Sequence, residues 1–157
     1  MRICRLDFEG VEKELNVMND HKHYLIDALT EIKEVQDKIT NSQTKYFDQL
    51  LLTLVGTDTI PFFLIMNNGR HLRFIDIDEQ LETEFLRIES IDRELRNVTV
   101  SLLRALDFEE NDTNLIADVV SLEKTSSKRS INLDFISGVQ LLSPDLLRRK
   151  IICEPKW

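Results

Sequence analysis

Three histidines, two cysteines and 28 carboxylates are the residues through which this chain could bind a metal or move a proton. Their spacing argues against both. Asp20-His21-Lys22-His23 is the only histidine cluster, and two residues apart on a helix its imidazoles face different directions. Cys4 and Cys153 lie near opposite ends, with no ligand pair at metal-site spacing. The acidic run Asp107-Phe-Glu-Glu-Asn-Asp112 lacks the Gly and terminal Glu of a calcium loop and reads as a solvated loop. Glu82/Glu84 and Glu89/Asp92 are paired carboxylates, read here as the charged face of a helix. No Ser or Cys sits in a nucleophile motif beside a base, and four glycines leave no room for a phosphate-cradling loop. The expectation is no catalytic residue, no metal and no cofactor.

Two basic spots remain. Lys128-Arg129 lies in the Ser-rich segment Thr125–Ser130, an exposed loop whose hydroxyls a kinase could reach. Arg148-Arg149-Lys150 closes the last helix, where cations complement the helix dipole. Trp157 is either a docked residue or an anchor for a partner.

These residues must be positioned by a chain of 157 residues, 42% hydrophobic and 31% charged. That suits one domain with a real core. A formal net charge of −8 argues against a general role on nucleic acid, which draws on a basic surface. Two cysteines suit a reducing compartment, cytoplasmic or nuclear. No apolar run approaches membrane-helix length, and Met1-Arg-Ile-Cys-Arg5 is followed by acidic residues rather than a signal-peptide hydrophobic region.

An apolar stripe with steps of four and three runs through Val11, Leu15, Met18, Lys22, Leu25, Leu29, Ile32, Gln36, Ile39, Gln43, Tyr46, Leu50 and Thr53; nine of these thirteen are apolar. It predicts a first helix over about 11–55, about 65 Å long if continuous, with a possible break at the Asn19-Asp20 capping signal and an end at Gly56. Residues 2–8 alternate weakly, as a short strand would. Ile60–Met66, Asn67-Asn68-Gly69 and Arg70–Ile77 read as a hairpin, because Asn-Gly tolerates positive φ. A second long helix is expected from about Asp78, on the seam Leu81, Phe85, Ile88, Asp92, Leu95, Thr99, Leu102, Leu106. Leu115–Leu122 is strand or short helix, Ser130–Phe135 a strand, and Ser143-Pro144 opens a short helix over about 144–152.

The expected architecture is therefore α+β and helix-dominated: a single domain, 1–157, with an arm over about 11–55 and a body over about 56–157. The functional expectation is a non-enzymatic interaction subunit that oligomerises or hetero-assembles through a coiled-coil-like helical seam. Leu15, Met18, Leu25, Leu29, Ile32 and Ile39 are the expected contact residues. Its partners would be proteins, with no nucleic acid and no membrane. The alternative is a self-contained regulatory binding domain in which the same seam is internal core and the acidic surface recognises a peptide or basic partner. A Leu25→Asp, Ile32→Asp double change separates them: the first expects dissociation with the body intact, the second outright unfolding.

Overall fold

The computed structural model describes residues 8–41, 45–46 and 57–142, with side chains described from Tyr24 onward. One helix, α1 (Phe8–Thr40), precedes seven strands: β1 (Phe62–Met66), β2 (Phe74–Asp76), β3 (Leu81–Thr83), β4 (Leu86–Asp92), β5 (Asn97–Leu106), β6 (Ser121–Asn132) and β7 (Ile136–Leu141). Five strands form an antiparallel sheet in the order β6-β5-β4-β1-β7, and β2 and β3 form a separate two-stranded ribbon. The helix-dominated architecture expected above is thus overturned. This is a mostly β protein with a single helix among the described residues, and no coiled coil is present there.

The second helix is the main correction. Residues 81–106 are β3, β4 and β5, joined by a tight turn at Arg93–Arg96 in which Arg96 takes φ 52°. Leu86 and Ile88 on β4, and Val98, Val100 and Leu102 on β5, are fully buried toward α1, while Phe85, Leu103 and Ala105 pack on the opposite face. A sheet covered on both faces places apolar residues at nearly any spacing, so a four-and-three pattern arises without a helix.

Other local expectations fall out individually. α1 runs unbroken through Asn19-Asp20 but stops at Thr40, well short of the expected end near residue 55: its last turn closes with Asn41 N–H donating to the Asp37 carbonyl at 2.8 Å, and Lys45 and Tyr46 lie in a bend. Asn67-Asn68-Gly69 does turn the chain, with Gly69 at φ 80° and Met66 bonded to Arg70 and Gly69. The returning strand is brief, an isolated bridge from Ile65 to His71, before the chain enters the β2-β3 ribbon. Thr125–Ser130, read as a loop, lies inside β6. The expected elements over 2–7, 42–44, 47–56 and 144–152 lie outside the described residues.

The sheet has to curl. β6 and β7 are its opposite edges, four strand spacings or about 19 Å apart if flat, yet only Leu133–Phe135 separates them, as a 3-10 turn. Four Cα steps reach at most about 14 Å. The curl is fastened at that turn: Leu133 N–H donates to Arg96 C=O at 2.8 Å and Asn67 N–H to Phe135 C=O at 3.2 Å. Into the concave face so made, α1 lays Leu25, Ile26, Leu29 and Ile32 against Phe62, Leu64, Leu86 and Ile88. No helix among the described residues is long and apolar enough to cross a membrane.

Candidate functional site

Two irregularities in the sheet each place a polar cluster where the ladder breaks. In β4, Ile88 opposes Val100 and Ser90 opposes Thr99, leaving Glu89 as the extra residue. Its Oε1 accepts from Ser101 Oγ at 2.6 Å and Arg87 Nη1 at 2.7 Å, with Lys124 Nζ at 3.4 Å. Burial alone raises the pKa of Glu89, but the Ser101 and Arg87 hydrogen bonds and the charges of Arg87 and Lys124 outweigh it, so the group ends below the usual carboxylate range.

The second irregularity lies in β6, where Ser101 opposes Lys128 but Leu103 opposes Lys124. Thr125, Ser126 and Ser127 thus face the single Leu102 on β5, a surplus of two. Ser127 donates to Asp76 Oδ2, which also accepts from Arg129 Nη2 at 3.0 Å, while Asp76 Oδ1 accepts from the Asp78 and Glu79 amides at 3.0 and 3.1 Å. The Ser127 hydroxyl, then the Glu79 amide and Arg129, hold the Asp76 pKa at about 2, against an ordinary 3.8. Ser126 donates to Glu79 and Arg104 Nη2 to the Glu79 carbonyl, so the whole β2-β3 ribbon is clamped onto β5 and β6.

Neither cluster has the tuning of a catalytic pair. Proton transfer near neutrality wants a carboxylate raised toward 7; both of these are lowered. Ser127 has a carboxylate neighbour that is a weak base and a guanidinium that donates to its oxygen at 2.9 Å. The geometry makes them clamps. Among the described residues no group of three His, Cys, Asp or Glu converges as metal ligands would. The Asp107–Asp112 run is a turn in which Asp107 Oδ1 accepts from the Glu109 and Asn111 amides, both at 2.9 Å.

Two depressions among the described residues bear on binding. A cleft of about 110 Å³ on the convex side is lined by Thr57–Thr59, Pro61, Leu103, Val119–Leu122, Lys124 and Leu142. The other, about 400 Å³, runs between α1 and β7. Its walls are Ala28, Ile32 and Val35 from the helix, Val139 and Leu141 from β7 and Ile60 just before β1, with Glu31 as the one charged lining residue among the described residues. Leu141 is 53% and Val35 43% exposed. An apolar trough of this kind, open to water, is the surface a binding partner covers.

The residues singled out from the sequence now have places. Leu25, Leu29, Ile32 and Ile39 are buried, and the first three form the centre of the packing between α1 and its own sheet; Ile32 also touches the floor of the groove. Leu15 and Met18 lie on α1, in the part whose side chains are not described. Cys4, Cys153, Arg148–Lys150 and Trp157 lie outside the described residues. Sequence reasoning missed Val139 and Leu141, although the uncharged stretch Ile136-Ser-Gly-Val-Gln-Leu141 carried the signal of an unprotected strand. Comparison with protein-family models, curated proteins and solved structures finds no significant match, so the reading of this chain rests on its own geometry.

Proposed function

We propose that this chain is a non-enzymatic protein-interaction domain, whose docking site is the groove between α1 and β7. The observation that carries the reading is the groove itself: about 400 Å³, walled by aliphatic side chains, with Leu141 and Val35 open to solvent at its rim. Leaving that surface wet costs free energy that a partner recovers by covering it, about 25 cal/mol per Å² of apolar area. The two polar clusters support the same reading from the other side, since each holds elements together rather than presenting a reactive group. The partner is a segment of another protein. Nucleic acid is disfavoured by the net charge of −8, and the two cysteines fit a reducing compartment, cytoplasmic or nuclear.

The test is selection of random displayed peptides on the folded chain, followed by amide chemical-shift mapping with a synthetic copy of the best binder. Shifts should concentrate at Ala28, Glu31, Val35, Val139 and Leu141. Shifts confined to the Leu122–Lys124 cleft, or no selected binder at all, would remove the groove from consideration.

A further inference from the structure

We propose that the partner enters this groove as an added antiparallel β-strand along the outer edge of β7, with apolar residues at alternate positions and a flanking Lys or Arg. The inference rests on the groove being the docking site and goes beyond it in fixing the mode and chemistry of recognition.

The ladder settles which backbone groups are on offer. Leu142 N–H donates to Pro61 C=O at 3.1 Å, and Phe62 opposes Leu141. Hydrogen-bonded and non-bonded pairs alternate in an antiparallel ladder, so Phe63–Gln140 and Ile65–Gly138 are the bonded pairs. Val139 and Leu141 therefore turn their N–H and C=O away from β1. Leu64 agrees: it lies opposite Val139, and its carbonyl accepts from Leu72 N–H at 2.8 Å on the far side.

The two sheet edges are treated differently. β6 carries Glu123, Lys124, Lys128 and Arg129, and the β2-β3 ribbon is clamped across its middle through Asp76. Charges and a covering element are the usual protection of an edge. β7 has no charged residue, and among the described residues no strand pairs with its outer side. The same Val139 and Leu141 that present backbone outward also line the groove with their side chains. A residue paired opposite each points its side chain to the same face, so positions i and i+2 of the incoming strand fill the groove while i+1 faces away.

Charge selects between occupants. Glu31 is the sole charged lining residue among the described residues, and the chain has 28 acidic against 20 basic side chains. A second copy would bring a second Glu31 and another −8 to the same edge; a segment with a Lys or Arg beside its apolar pair brings the opposite sign.

The experiment uses the full chain and synthetic eight-residue peptides, Val, Ile or Leu alternating with Thr and flanked by Lys, together with the display-selected binder. Each peptide is N-methylated one residue at a time. Methylation at groove-facing residues, whose N–H would bond to β7, should weaken binding about tenfold or more per site. Methylation at the intervening residues should change it less than about twofold. Glu31→Gln should weaken binding a few-fold and flatten its salt dependence, and Leu141→Asp should abolish it with the amide spectrum still folded; Val35→Asp serves as a second such variant. If groove binders show methylation losses at consecutive positions, or at the intervening set, docking stands and antiparallel strand addition falls. If no peptide reaches the groove, the docking reading falls as well. A dimer that dissociates on Leu141→Asp would assign the edge to a second copy and overturn the proposal.

Discussion

Gln36 shows how one side chain joins helix to sheet. In the apolar stripe it reads as a polar interruption, yet it is only 2% exposed. Its Nε2 donates to the Ile88 carbonyl at 2.9 Å, beside the Glu89 bulge, and its Oε1 takes the Ile60 N–H at 3.5 Å. A buried carbonyl next to a broken ladder must find a donor, and Gln36 supplies it. Replacing it with Leu keeps the volume and strands both backbone groups; urea unfolding should report a loss of about 1–3 kcal/mol. A loss under about 0.5 kcal/mol would mean water substitutes for the amide. The two clamped carboxylates give a pH signature. A carboxylate whose folded pKa is depressed stabilises the fold above its unfolded value and loses that contribution as pH falls through the folded one. For Asp76 the window runs from about 4 down to about 2, and Glu89 adds a component that begins below its ordinary 4.5. The urea midpoint should fall across this range in the parent chain. Asp76→Asn should lower it at neutral pH and flatten the acid limb, and a limb of unchanged slope would mean that other groups control it.

At the scale of elements, α1 is held by period and depth together. Leu25, Ile26, Leu29, Ile32, Gln36 and Ile39 are its buried positions from Tyr24 onward, one face of a 3.6-residue helix. Leu29 is fully buried, and Leu29→Ala should cost about 2–5 kcal/mol. The Leu25→Asp, Ile32→Asp pair puts two carboxylates into the same core and should unfold the chain outright, seen as loss of amide dispersion; a folded protein of altered mass would instead put this face between chains. The helix and the Asn-Gly turn were legible because a single-faced 3.6 period and a positive-φ pair are signals that few other structures make. β4 and β5 were not, for a physical reason. Steps of four preserve the face of a strand, and steps of three cross from one buried face to the other, as from Phe85 to Ile88. In β6 the hydroxyl run Thr125-Ser126-Ser127 looked like a loop because it is a bulge, where backbone leaves the ladder just as it does in a loop. The groove was only half readable: Ile32 belongs to the stripe, but its partners Val139 and Leu141 lie more than 100 residues away, and nothing local pairs them.

For the molecule as a whole, the curl of the sheet decides what is left exposed. Joining β6 to β7 through three residues draws the two edges toward each other at one end, and α1 fills the concave face. That leaves both edges to be managed. β6 is charged and clamped, whereas β7 keeps Leu141 in water next to Val35 of α1. If Leu141 served the core, its replacement would be costly; at 53% exposure it contributes little to the packing. Leu141→Lys should therefore leave the urea midpoint within about 0.5 kcal/mol of the parent, as surface changes do, while placing on β7 the kind of residue that guards β6. The variant should then bind the groove-selected peptide at least about tenfold more weakly than the parent, with the amide spectra superimposable away from β7. A large fall in midpoint would make Leu141 a structural residue. Equal peptide affinity in both would mean that the edge is already blunted by the neighbouring helix, and the apolar surface between α1 and β7 would have to serve a partner that needs no backbone contact.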